Sequence, residues 1–115
     1  MLYSILIYVD ERKVAALTPA QDAEHISRHL EIQAQWRARG RLGPAVRLEA
    51  TSTAKFLRTE DGAVLDGPYA ETKEALLGFY TIECDTEAEA IEFARSLPSL
   101  GTVFEIRPVK RYFPA

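Results

Sequence analysis

His25 and His29 stand four residues apart, a spacing that on a helix brings both rings to one side, one turn from each other. Histidine is the side chain whose ordinary pKa lies nearest working pH, so His29 is a candidate acid or base. Two histidines could also begin a metal site, but no third ligand stands near them, and no metal is expected. Ile26, His29, Ile32 and Trp36 share one arc of the same helix. This gives an equally simple structural account: His29 hydrogen-bonded to backbone at the edge of the core, His25 towards solvent, and Trp36 within the core. A second stripe, Ala23, Leu30, Ala34 and Ala38, leaves the buried side uncertain by about a third of a turn.

A second group of candidates follows Asp66. The run Asp66-Gly67-Pro68-Tyr69 is a rigid turn, because proline fixes its own backbone angle and glycine permits angles that other residues resist. Such a turn could aim Asp66 as an acid or base, with Tyr69 and Lys73 as substrate contacts. The alternative is a purely structural turn with Asp66 bonded to nearby backbone and Lys73 solvated. On the later strands Glu83, Glu105 and Arg107 are expected to share a face, since Glu105 and Arg107 are two apart. Arg107 could grip a carboxylate or phenolate in bidentate fashion, or simply pair with one of the acids.

These side chains need elements to position them. Residues 2–9 (LYSILIYV) form an apolar run rich in Ile, Tyr and Val, which reads as a strand with both faces covered. Thr18 and Pro19 give an N-cap and first helical residue, and the helix runs to about Arg39 before Gly40 stops it. Residues 42–58 are less regular, with a strand at 53–58 turning through Glu60-Asp61-Gly62 into 63–65 as a hairpin. Residues 66–77 begin as a turn and are expected to continue as one or two helical turns. A strand follows at 78–84, and a helix is capped by Thr86 with Glu89 in a capping box. Ala90, Ile91, Phe93, Ala94 and Leu97 lie on its inner side, and a last strand spans 102–109. Alternation puts Ile5, Ile7, Val9, Tyr80, Ile82, Cys84, Phe104 and Ile106 towards the helices. Leu2, Ser4, Leu6, Tyr8, Phe79, Thr81, Glu83, Val103, Glu105, Arg107 and Val109 lie on the other face.

The fold class implied is α+β: a ferredoxin-like βαββαβ chain with an inserted hairpin, its antiparallel sheet carrying two helices on one face. The helix-free face holds too many large apolar groups to stand bare in water, and its simplest cover is the same face of a second copy. A homodimer is therefore expected, closed as a dimeric α/β barrel.

All 115 residues fit one domain, 1–115, with 47% apolar and 27% charged residues and a formal net charge of −3. No basic stripe points to nucleic acid. The opening apolar run is too short to span a membrane and lacks the basic start of a signal peptide, so a cytoplasmic protein is expected. The lone cysteine, Cys84, rules out an internal disulfide and sits in an apolar run as a buried thiol would. There is no phosphate loop, CxxC, HExxH or GxSxG, and no cofactor is expected.

The segments DGPYAETKEALLGFY, from Asp66, and FEIRPVKRY, near the C-terminus, resemble the DGPF-domain branch of the YCII-related proteins, with Tyr69 where that motif has Phe. The opening LYSILIYVDE falls in the same order and spacing, and the resemblance covers essentially the whole chain. It implies the ferredoxin-like fold and the dimeric barrel. Simpler relatives pair a helix histidine with an aspartate about a dozen residues later. His29 matches the histidine, but the onward count reaches Gly40-Arg41-Leu42, where no acid stands. Some members act on chlorinated hydroxyquinones, and others are encoded beside extracytoplasmic-function sigma factors.

Two functions follow as expectations. One is a cofactor-independent enzyme acting by acid–base chemistry on a small anionic or aromatic metabolite in a dimer-interface cleft. It would use His29 and Asp66 as acid or base, with Tyr69, Lys73, Glu83, Glu105 and Arg107 around the substrate. The other is a non-catalytic ligand-sensing or interaction module, associated with a sigma-factor system.

Overall fold

Alternating large apolar side chains make Leu2–Val9 (β1) an extended strand, and its odd-numbered residues Tyr3, Ile5, Ile7 and Val9 are buried. The even-numbered side chains remain partly exposed. The expectation of two covered faces therefore holds for only one face within a single chain. The computed structural model describes residues 1–115.

After β1 the chain forms a short helix, Glu11–Ala15 (α1), capped by Asp10, and a long one, Pro19–Ala38 (α2). No element is expected from the sequence where α1 lies. Thr18 caps α2 in a complete capping box: its hydroxyl accepts from the Gln21 N–H, and the Gln21 side chain accepts from the Thr18 N–H. Gly40, at φ +68°, supplies the left-handed residue after the helix.

Leu42–Arg47 (β2) is a main-sheet strand that the sequence did not reveal. Lys55–Arg58 (β3) and Ala63–Asp66 (β4) form the expected hairpin, turned at Gly62, as a separate two-stranded sheet. The helical turns expected within 66–77 do not form. That stretch is a turn with a cis Gly67–Pro68 bond, and the next strand, Ala75–Glu83 (β5), already begins at Ala75. Its Ala, Glu and Lys favour a helix, but Pro68 precedes them and no apolar stripe gives a helix anything to pack on. Glu87–Ser96 (α3) and Val103–Pro108 (β6) complete the chain. Thr86 caps α3 through the Glu89 N–H at 3.2 Å. The reciprocal half of the expected capping box is absent, because the Glu89 carboxylate turns to Arg41, 3.7 Å away.

The sheet order is β2-β5-β1-β6, and every neighbouring pair is antiparallel. Trp36 of α2 meets Phe93 of α3 with ring centroids 5.0 Å apart, and Phe93 meets Tyr80 edge-on at the same distance. Ile5, Ile82, Cys84, Ala90, Ala94 and Leu97 close the core around them. Phe104 and Ile106 pack against it only partly buried.

The β3–β4 hairpin stands away from this body. The radius of gyration is 15.7 Å, where a compact chain of this length would show about 13 Å. Leu57 and Val64, on opposite strands of the hairpin, are 60% and 67% exposed. No helix is long and apolar enough to cross a membrane.

Candidate functional site

Helix α2 presents Asp22, His25, His29, Ile32, Gln33 and Trp36 inward, whereas Ala23, Ala34 and Ala38 face outward and Ile26 and Leu30, 40% and 56% exposed, reach the cavity from its rim. The stripe containing His29 is thus the packed one. Opposite it, Tyr80 and Gly78 of β5 share the helix-facing side of the sheet, as residues two apart must. Where the period calls for another side chain there is only the Gly78 hydrogen.

A cavity of about 220 Å3 lies between α2 and the sheet. Its apolar wall includes Ile7, Val9, Leu17, Leu77 and Leu100, and its polar lining includes Asp22, His25, His29, Gln33, Arg47 and Tyr80. The mixture is typical of small-ligand sites: an apolar body with a few placed polar groups.

The polar groups are organised around one hydroxyl. Tyr80 Oη lies 2.8 Å from His29 Nδ1 and 2.9 Å from Gln33 Nε2. The Gln33 amide donates to the oxygen. We assign the tyrosine proton to the bond with Nδ1, and the imidazole as the neutral ring protonated at Nε2. The two rings lie nearly parallel, 13° apart in tilt with centroids 5.8 Å apart. His29 therefore does not take the backbone partner that the sequence allowed. Its partner is a phenol on the third strand of the main sheet.

Burial lowers the pKa of His29 to about 4, helped by the positive charges of His25, Arg47 and Arg28. His25, whose ring centroid is 5.1 Å from that of His29, is shifted downward too, again chiefly by burial. The Tyr80 hydroxyl is pushed up by its own burial. The site is thus a set of neutral hydrogen-bonding groups with one charged pair beside it, Arg47 and Asp22, at 3.3 Å.

The remaining sequence candidates lie elsewhere. Asp66 is at the end of β4 on the hairpin, paired with Lys55 and largely exposed. Tyr69 is 84% exposed and meets Phe56 edge-on, and Lys73 is exposed on the turn that follows. Glu83 pairs with the N-terminal ammonium, and Arg107 pairs with Glu105 on its own strand. None of these six lines the cavity with His29. Arg47, Gln33, Tyr80 and Asp22 were not singled out as site residues. No cluster of three or more His, Cys, Asp or Glu side chains capable of holding a metal is present.

The model of the YCII-related domain matches residues 1–112. The chain belongs to the YCII-related family. An uncharacterized protein of Rhizobium meliloti (strain 1021) is 45% identical over 121 aligned positions, covering 99% of this chain and 96% of the relative. The YCII-related domain therefore accounts for almost every residue, including both walls of the cavity.

Proposed function

We propose that this protein binds a small, largely apolar metabolite in the cavity between α2 and the sheet, and that His29 exchanges a proton with it. The observation that supports this is the His29–Tyr80–Gln33 constellation opening on a cavity lined mainly by apolar side chains. Three polar side chains converge on one point where three core residues would pack more simply, which is the pattern of a ligand site. A proton from an acidic carbon or hydroxyl of the ligand would pass to Tyr80 Oη as Tyr80 gives its own proton to His29 Nδ1, leaving the ligand anionic and the imidazole charged. No cofactor enters this scheme. A thermal-shift screen of phenols, quinols and aromatic acids tests it, followed by solvent-deuterium exchange into any hit. Binding retained in His29→Asn with exchange lost supports proton transfer; a screen without hits removes the proposal.

The low basicity of His29 favours a second reading, in which the pocket senses a ligand without chemistry. In that case His29→Asn would bind the ligand and change nothing further.

The frame behind the site is, in this reading, ferredoxin-like, supported by the order β2-β5-β1-β6 with the inserted hairpin between the second and third main strands. Leu2, Leu6, Tyr8 and Phe79 are partly exposed on the sheet face away from Ile5 and Tyr80, and Val103 beside them is 54% exposed. A second copy covering that face is the proposed assembly, by the argument that such a patch is seldom left in water. Light scattering that returned a monomer at micromolar concentration would remove it.

A further inference from the structure

Resting on the proposal that the α2 cavity is a ligand site, we infer that Arg47 is its anion anchor, so that the ligand is a small monoanion with a flat apolar body, such as an aromatic carboxylate or phenolate. Arg47 is the only lysine or arginine that lines the cavity. It is the last residue of β2 and sits opposite Gly78 in the β2–β5 register. Its side chain therefore stands on the helix-facing side of the sheet, in the lining of the space a ligand would fill.

The guanidinium is held there by a contact that is easily exchanged. Both of its terminal nitrogens approach a single oxygen of Asp22, at 3.3 and 3.4 Å. This is longer than a good charge-assisted bond and lacks the two-oxygen fork that arginine and carboxylate make at their best. The side chains are 47% and 37% exposed, and ion pairs so open to water contribute little. A ligand carboxylate could take the free edge of the fork, or replace Asp22, at small cost.

The surrounding charges point the same way. The groups around Arg47 are Asp22, His25 and His29, with Arg28 further along α2 acting on both imidazoles. Arg47 and Asp22 are the fixed charges of the lining, and Arg28 adds positive charge from outside it, beside two histidines that are neutral at working pH. An anion is favoured and a cation is not. The ligand's apolar body would lie against Leu17, Leu77 and Leu100, and about 220 Å3 accommodates a single substituted ring.

Paired probes of one shape test the charge separately from the cavity. Benzoate and benzamide differ little except in charge, and titration calorimetry on the full chain measures both. Benzoate is expected to bind about tenfold or more tightly than benzamide, the factor that one charge-assisted pair supplies. Arg47→Gln should bring benzoate down to the level of benzamide, and Arg47→Lys should restore part of the difference. Asp22→Asn, which frees the guanidinium, should strengthen benzoate and leave benzamide unchanged.

If Asp22 and Arg47 are only a clasp between helix and strand, Asp22→Asn lowers the melting temperature without improving benzoate binding. That result overturns the inference. Equal affinity of the two probes, or a preference for benzamide, also overturns it while leaving the cavity as a ligand site. Binding of neither probe removes both the anchor and the pocket.

Discussion

The hydroxyl of Tyr80 reaches His29 Nδ1 at 2.8 Å across 51 residues of sequence, and the two rings stack with a tilt of only 13°. The contact ties the middle of α2 to the centre of the sheet and sets both the tautomer and the orientation of the imidazole.

Replacing Tyr80 by Phe keeps the ring and removes that tie. Gln33 and His29 then lose their shared partner in a half-buried place, which should cost about 1–3 kcal/mol of stability. Nitrogen-15 spectra of the imidazole should change from one dominant Nε2–H tautomer to a mixture. An unaltered tautomer in Tyr80→Phe would show that the phenol does not hold the ring.

Acid should weaken the fold through His29. An unfolded histidine takes up its proton near 6.5, but in the folded chain burial, followed by His25, Arg47 and Arg28, delays this to about 4. Between those values the unfolded chain binds more protons, so stability falls as pH falls. Below about 4 this group adds no further loss. Allowing for the remaining exposure of the ring, the loss should be on the order of 2 kcal/mol. Urea unfolding of wild type and His29→Asn at pH 7, 5.5 and 4 measures it: the wild type should lose that much relative to the variant.

The sequence shows part of this arrangement and hides the rest for physical reasons. The alternation of Tyr3, Ile5, Ile7 and Val9 is strong because a buried sheet face repeats every two residues, and the helix signals at Thr18, Pro19 and Gly40 are local. Strand β2 carries no such pattern: Leu42-Gly43-Pro44 contains the two residues that strands least favour. It is tolerated because β2 lies at the edge of the sheet, where its pairing with β5 also slips between Leu42 and Ala45. With β2 hidden, Arg47 had no address. His29 was legible from helical spacing, but its partner lies on a distant strand, and no local pattern couples positions so far apart. Asp66 misled for the opposite reason: a rigid turn is visible in the composition, while the direction in which the hairpin carries it is not.

Gly78 should tolerate no side chain. A Cβ there would stand 2.1 Å from the Val46 carbonyl oxygen, with Arg47 Cα at 3.1 Å. Backbone on a neighbouring strand cannot rotate away, so Gly78→Ala must push β2 from β5. The expected cost is about 2–3 kcal/mol, with faster amide exchange at Leu48, whose N–H is bonded to Leu77 at 2.7 Å. Normal stability in this variant would mean that the two strands are less closely apposed.

Thr18→Ala should cost about 1 kcal/mol, because it removes one half of the capping box and leaves the Gln21 N–H unpaired. The damage should be local. Hydrogen exchange is expected to quicken in the first turn of α2, around Asp22, and to remain slow near Trp36. Loss of protection along the whole helix would indicate that the cap, rather than the packing of Trp36, carries its stability.

The chain leaves the main sheet just after Arg47 and returns at Ala75, and these two points are near neighbours: Arg47 stands opposite Gly78, and the Leu48 N–H bonds to Leu77. The hairpin arm is therefore an excursion whose exit and re-entry already sit side by side in adjacent antiparallel strands. Closing a shorter or longer excursion between two fixed neighbours changes the loop entropy only slowly, by about 0.6 kcal/mol for each doubling of length. The arm is thus free to diverge in length and character, or to be exchanged for another module, while the cavity it leaves behind keeps both its walls.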